Sequence, residues 1–241
     1  MGTGYLDHLK QEAFEVNMGI VRERLVVLTW GNASSFDRAN GIFAIKPSGV
    51  SYSLLKWQDM VLVDLDGNVI DSKFKPSSDT LTHIEIYKGF NSVGGIVHTH
   101  SPWATIWAQA SKSIPVLGTT HSDHFNGYVP CLPYLNKDKV EKAYEKETGI
   151  QIVDFFKEQK LEPIHMPGCL LSGHASFTWG ETSNKAFENA IALEACAHMA
   201  YHSLCLNSRI EFPNYILEKH FTRKHGKTAY YGQGHGSLIK L

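Results

Sequence analysis

His98 and His100 stand two residues apart in the stretch Gly94 to Pro102, Gly-Gly-Ile-Val-His-Thr-His-Ser-Pro. If Val93 to Thr99 is a strand, its side chains alternate between faces, so both imidazoles leave the same side at its C-terminal end. Neutral imidazole is a good ligand for zinc and similar ions, and a strand holds two of them at a fixed separation without ordering a loop. The alternative is a pair of ordinary polar residues, and any further ligands must come from elsewhere in the chain. Other segments carry chemistry with an equally plain alternative. Lys46-Pro47-Ser48-Gly49 can present a cation and free amides to an anion, or be a solvated turn. Pro76-Ser77-Ser78-Asp79 is a helix start whose amides and hydroxyls suit a phosphate, or a plain N-cap. Asn32 lies in the turn-rich Trp30-Gly31-Asn32-Ala33-Ser34-Ser35, where it can bond its own turn. His174 follows a buried-looking strand, Cys169 to Ser172, and a lone histidine there is usually structural.

The elements that must position these residues read as one large domain over residues 1–241. The 241 residues, 43% hydrophobic, suffice for a sizeable core. Leu6, Leu9, Ala13, Val16 and Ile20 have helical spacing. Leu25 to Thr29 reads as a strand ending in the Trp30 turn, and Ile42 to Ile45 as its partner. Met60 to Leu65, the turn Asp66-Gly67-Asn68 and Val69-Ile70 read as a hairpin. A helix is expected from the Pro76 cluster, another over Pro102 to Ala110, and a short strand over Ile114 to Val116. Gly118 to Phe125, with Thr119 and Asp123, reads as a polar loop. Lys137 to Lys160 is a charged helix interrupted near Thr148-Gly149, and Ser183 to Leu206 the longest helix. The basic and aromatic tail after Lys219 has no core of its own and is expected to be flexible or docked.

With 23 basic and 24 acidic residues, the charge balance gives no support to nucleic-acid binding. Four cysteines without C-x-x-C pairing suit a reducing cytosol. No run of about 18 apolar residues or secretory leader is visible, so no membrane partner and a cytoplasmic location are expected.

Taken together, Trp30 to Ser34, Lys46 to Val50, Pro76 to Thr80, Gly94 to His100, Gly118 to Asp123, Met166-Pro167-Gly168 with His174, and Tyr230-Tyr231-Gly232-Gln233 resemble the class II aldolase/epimerase family. Their order is similar to that of its L-ribulose-5-phosphate 4-epimerase branch, over almost the whole chain. The resemblance implies an α/β fold, a three-layer arrangement with a central, largely antiparallel β-sheet covered by helices. It implies one zinc ion (Zn2+), or another divalent metal, per subunit, and a homotetramer with active sites between subunits, the tail 219–241 docking at an interface. By the same resemblance His98, His100, His174 and Asp79 are metal ligands. Asn32, Ser48, Gly49, Ser77 and Ser78 form the phosphate pocket with Lys46 nearby. Asp123 and Tyr231 are the acid-base pair, and Thr119, Glu145 and His220 secondary site positions. The family often has His-Ser-His where this chain has Ser172-Gly173-His174, and His235 to Leu241 has no counterpart there.

The implied reaction interconverts L-ribulose 5-phosphate and D-xylulose 5-phosphate, as in L-arabinose, L-ascorbate or L-xylulose breakdown. C4 is not adjacent to the C2 carbonyl, so inversion there proceeds by retro-aldol cleavage and re-formation of the C3–C4 bond, with acid-base groups on opposite sides. The competing function is a sugar-phosphate aldolase of the L-fuculose-1-phosphate type. Those relatives carry glutamate where this chain has Asp79, which favours the epimerase. A non-enzymatic, adducin-like structural domain would lose the metal ligands that this chain keeps.

Overall fold

The computed structural model describes residues 3–225 and residue 229. The chain runs α1 (Thr3–Arg22), β1 (Asn32–Asp37), β2 (Ile42–Ile45), a short 3-10 turn at Trp57–Asp59, β3 (Val61–Asp64), β4 (Val69–Asp71), α2 (Thr80–Gly89), β5 (Gly95–Thr99) and α3 (Pro102–Gln109). It continues through α4 (Thr119–Ser122), β6 (Cys131–Leu132), α5 (Lys137–Glu158), β7 (Gly168–Leu171), β8 (Ser176–Gly180), α6 (Ser183–Leu206) and α7 (Asn214–His225). The strands form one eight-stranded sheet in the order β4-β3-β2-β1-β5-β8-β7-β6. Among the described residues only the β6–β7 strand pairing is parallel.

Period-two alternation divides the sheet's side chains between two cores. Ile42, Ala44, Leu62 and Val97 pack with Leu9, Ala13, Val16 and Ile20 of α1 and Ala186 and Ala190 of α6. Phe43, Ile45, Val61, Val63 and Ile96 pack with Ile84, Ile86 and Tyr87 of α2 and Ile152 and Phe156 of α5. The sheet is therefore covered on both faces, as the family resemblance implies. His98 has the parity of Ile96, so it faces the α2 side.

Several expectations change. Leu25–Thr29 is not a strand: Leu25 and Val26 are irregular and residues 27–29 bend and turn, with Val27 and Leu28 exposed and Leu28 at φ 55°. The first strand instead begins at Asn32, in the segment read as a turn. Its polar side chains are buried because each has a partner: Ser34 Oγ lies 2.7 Å from His83 Nδ1 and 2.6 Å from Tyr87 Oη, and Ser35 Oγ donates to Glu12 at 2.8 Å. Helix α5 is continuous through Thr148-Gly149 and breaks at Ala143 instead. Gly149 is there for close packing, since a Cβ would sit 2.8 Å from the Thr82 carbonyl oxygen of α2. Gly118 to Phe125 is not an all-polar loop: it contains α4, and His121, Ser122 and Phe125 are buried. Ile114 makes only an isolated bridge to Val129. The start of the tail belongs to α7, which buries Phe221, and the strand β8 was not expected at all. Among the described residues no helix is long and apolar enough to cross a membrane.

Candidate metal centre and phosphate cradle

His98 lies near the C-terminal end of β5 and is buried. Its Nδ1 lies 2.9 Å from the Ser176 carbonyl oxygen on neighbouring β8. A carbonyl only accepts, so Nδ1 carries the proton and Nε2 keeps its lone pair. The ring is stacked on Phe177 with centroids 4.2 Å apart, which fixes its plane. His100 lies two residues on, just past the strand. His174 is delivered by the tight hairpin between β7 and β8, where Gly173 takes φ +68° and donates its N–H to the Ala108 carbonyl. The unusual Ser172-Gly173 pair thus makes a turn that glycine adopts without steric penalty.

The three rings converge. Each pair of centroids is 5.0 Å apart, and one ring nitrogen from each lies within 4.8 Å of the others. Burial pushes all three below the ordinary histidine pKa, His174 to about 4, with the neighbouring rings adding to it and Asp79 opposing it. At neutral pH they are neutral donors with lone pairs crowded together, an arrangement that a cation resolves. His174 Nδ1 is moreover buried without a hydrogen-bond partner. This donor set fits a divalent ion.

Asp79 precedes α2 at the edge of the triad, with Oδ2 4.0 Å from His98 Nε2. Burial opposes its ionisation, but the His98 and His83 rings and the Asn32 amide outweigh it and hold the carboxyl below its usual range. Asn32 Nδ2 donates to Asp79 Oδ2 at 2.7 Å. Asn32 is placed by register: it is the cross-strand partner of His98 in the β1–β5 pairing, so both point to the same face.

A cavity of about 380 Å³ runs from this triad to the two serine-bearing turns. It is lined by Asn32, Lys46, Ser48, Gly49, Ser77, Ser78 and Asp79, by the three histidines, and by Glu145. The turns are laced together: the Ser48 N–H bonds the Lys75 carbonyl, and the Ser77 N–H bonds the Lys46 carbonyl, each at 3.0 Å. Those two amides, expected to face an anion, are therefore occupied, and the hydroxyls, the Gly49 turn and Lys46 remain. Lys46 is buried, with Nζ 3.3 Å from the Pro47 carbonyl and 4.7 Å from the Tyr52 ring centroid. Burial lowers its pKa to about 8, so it is still largely protonated at pH 7.

Asp123, Thr119 and His220 do not line this cavity in the same chain. Asp123 follows α4 and accepts from Arg223 Nη2 at 2.7 Å, Arg223 Nε at 3.1 Å and His220 Nδ1 at 3.1 Å, all from α7. Burial opposes its ionisation, but the Arg223 and His220 contacts keep it below the usual carboxylate range. Thr119 is exposed at the start of α4. Tyr231, like the rest of that motif, lies outside the described residues. Three features had escaped the sequence. The Ser34–His83–Tyr87 cluster was hidden because its partners are far apart in the chain. Arg223 was one cation among several in a basic tail. Tyr144, which with Trp30 completes the cavity mouth, could have been noticed beside Glu145.

The family model described as the class II aldolase and adducin N-terminal domain matches residues 11–201. L-ribulose-5-phosphate 4-epimerase UlaF of Salmonella paratyphi B (strain ATCC BAA-1250 / SPB7) is 46% identical over 229 residues, 95% of this chain and 100% of that one. The UlaF of Salmonella typhi matches to the same extent. Among solved structures, an L-fuculose 1-phosphate aldolase superposes with a TM-score of 0.75 at 23% identity, covering 90% of this chain and 95% of its own. The L-fuculose-1-phosphate aldolase of Thermus thermophilus gives 0.67 at 22%, covering 85% and 98%. The structural likenesses establish the fold, and with the family match and full-length identity this chain belongs to the class II aldolase/adducin family.

Proposed function

We propose that this protein is a metal-dependent L-ribulose-5-phosphate 4-epimerase, interconverting L-ribulose 5-phosphate and D-xylulose 5-phosphate. One observation carries the proposal: a single cavity joins an anion cradle to a histidine triad, in a chain 46% identical over 229 residues to UlaF. The phosphate is held by Lys46 with the Ser48, Ser77 and Ser78 hydroxyls, near the positive end of α2. This fixes the pentulose lengthwise along the cavity, its keto end toward the histidines. His98, His100 and His174, with Asp79, would hold one zinc or similar divalent ion. When bound, that ion supplies the positive charge that offsets negative charge developing on the substrate's oxygens.

The chain's own residues then have defined tasks. Ser176 holds the His98 proton on Nδ1, and Asn32 keeps Asp79 turned toward the triad. Glu145 presents a carboxylate able to accept a substrate hydroxyl. Inversion at C4 needs proton acceptors on both faces of the aldehyde, because the C4 hydroxyl proton leaves as C3–C4 breaks and returns as it re-forms. Asp123, with His220 on its Oδ1, and Tyr231 fill those two roles from a second copy in a homotetramer, with Thr119 beside them. This accounts for the distance of Asp123, His220 and Thr119 from the cavity of their own chain, and it would dock the tail 219–241 against a neighbouring subunit. A single class II aldolase/epimerase domain, as matched over residues 11–201, is part of this reading. The setting that belongs to this reading is L-arabinose or L-ascorbate breakdown in the cytoplasm. Incubation with L-ribulose 5-phosphate tests the proposal. Formation of D-xylulose 5-phosphate without glycolaldehyde phosphate is expected; release of that fragment as the main product would mean an aldolase.

A further inference from the structure

Asn17 is fully buried in α1 and does not line the cavity. Its side-chain amide pairs with the backbone of one residue in β1: Nδ2 donates to the Ala33 carbonyl at 2.9 Å, and Oδ1 accepts from the Ala33 N–H at 3.0 Å. Nδ2 also donates to the Ala13 carbonyl at 2.7 Å, so both amide hydrogens and the oxygen are used. Register shows what the amide replaces. In the β1–β2 pairing Ser34 stands opposite Ile45 and Ser35 opposite Ala44, so one step further Ala33 would stand opposite Lys46. The Phe36 N–H donates to the Gly94 carbonyl beside β5, so even-numbered residues of β1 turn their backbone groups toward β5 and odd-numbered ones toward β2. The N–H and C=O of Ala33 therefore point at the place Lys46 would fill. Strand β2, however, ends at Ile45, Pro47 has no N–H with which to extend it, and the Lys46 carbonyl accepts from the Ser77 N–H instead.

Resting on the epimerase proposal, in which Lys46 holds the substrate phosphate, we infer that Asn17 is a positioning residue for that phosphate: its amide stands in for the Lys46 peptide in the sheet and so frees Lys46 to join the cradle. A strand that stops inside a sheet leaves its neighbour's N–H and C=O unpaired, and burying both costs free energy that Lys46 could relieve by returning to the ladder. Its return would give up the bond from Ser77 to the Lys46 carbonyl, and with it part of the lacing between the two serine-bearing turns. Asn17 removes that competition by satisfying Ala33 from α1. Asn32 is held separately, because its ladder partner is His98 on β5, the opposite side of β1. The Asn17 amide therefore acts on the phosphate cradle and leaves the metal centre alone.

The test compares Asn17→Ala, Lys46→Met, the two combined, and Lys10→Met in the zinc-loaded full chain. Calorimetric titration with inorganic phosphate, KM and kcat for L-ribulose 5-phosphate, zinc content and thermal midpoint are measured for each. Asn17→Ala is expected to keep its zinc and to weaken phosphate binding about tenfold or more, the ratio that about 1.4 kcal/mol represents, with KM raised by a similar factor and kcat changed less. In the Lys46→Met background the same substitution is expected to weaken phosphate binding no further. Lys10→Met, from the same helix, loses its ion pair with Asp71 and is expected to lower the thermal midpoint without moving phosphate affinity. An Asn17→Ala variant that is destabilised yet binds phosphate as the parent does, or that weakens phosphate equally with and without Lys46, overturns the role. If it does not fold, Asn17→Asp, which keeps the acceptor for the Ala33 N–H, is read by the same outcomes, and failure of both to fold assigns Asn17 to the fold alone and overturns the proposal. Phosphate binding needs no turnover, so a parent protein that binds phosphate but fails to interconvert the two pentulose phosphates overturns the epimerase proposal while the part played by Asn17 is still read.

Discussion

Replacing Asn32 by alanine should separate what this residue does for the fold from what it does for the metal centre. Asn32 is buried, and its Nδ2 makes a 2.7 Å bond to the ionised Asp79. A hydrogen bond to a charged group contributes about 1.5–3 kcal/mol net. Its Oδ1, however, is buried without a partner, and an unsatisfied polar atom costs about 1–3 kcal/mol. Deleting the side chain removes both terms but leaves the Asp79 carboxylate without its shortest donor, so the metal-free protein should lose about 1–3 kcal/mol. Metal affinity behaves differently, because nothing else of the same strength turns Asp79 toward His98: the Ser77 hydroxyl is 3.5 Å away. Removing such a support for a ligand weakens metal binding about 10- to 100-fold. Competition with a chromophoric chelator measures the affinity, and thermal unfolding of the stripped protein measures the fold. Ser35→Ala is the control from the other face of β1: it loses the bond to Glu12 and should cost stability without changing zinc affinity. An Asn32→Ala variant that binds zinc as tightly as the parent would refute the role given to Asn32.

Asp79→Glu lengthens the carboxylate by one methylene toward the reacting carbons. Three-carbon product is expected to leak, so a variant releasing no more dihydroxyacetone than the parent counts against Asp79 as the discriminator between epimerase and aldolase. Gly173→Ala forces an L-residue to φ +68°, costing about 1–2 kcal/mol. The added Cβ would also lie 2.6 Å from the Tyr134 ring, but that side chain is exposed and can move. Tyr134→Ala should therefore fail to rescue the thermal midpoint, and rescue would show that contact, not backbone conformation, dominates. Asp123 has a folded pKa below its unfolded value of about 3.9, so its contribution is present above that pH and is lost as pH falls through the folded pKa. The protection of the α7 amides, relative to their intrinsic exchange rate at each pH, should fall as acid is added, and Asp123→Asn should remove that dependence. Unchanged acid sensitivity in the variant would mean that other groups hold α7.

The parts of this structure legible in sequence are those where side-chain type and backbone period agree. The α1 spacing, the Pro76 helix start and the His-x-His strand end all have local signatures, and the structure carries each. Leu25–Thr29 has the apolar, β-branched composition of a strand, yet Val27 and Leu28 face solvent and the segment pairs with no strand. Asn32–Asp37 hid because its polar residues are buried only through Glu12, Asp79, His83 and Tyr87, partners from other elements. The break of α5 at Ala143 has no Gly or Pro to announce it, so the placement of Tyr144 emerges only in three dimensions. Residue types alone show the His98–His100 pair and the family resemblance adds His174, whereas the approach of His174 depends on the hairpin that Gly173 turns. Arg223 on Asp123 follows from α7 packing against α4, a long-range contact.

The most direct measurement assays conversion of L-ribulose 5-phosphate to D-xylulose 5-phosphate by the parent protein as isolated, after chelator stripping, and after zinc return, with His98→Asn alongside. Conversion should be present, lost and restored in turn. His98→Asn should lack both metal and conversion while keeping the circular dichroism of the parent. Undiminished conversion by the metal-stripped protein, or none by the fully zinc-loaded one, would contradict the assignment of an epimerase built on this triad.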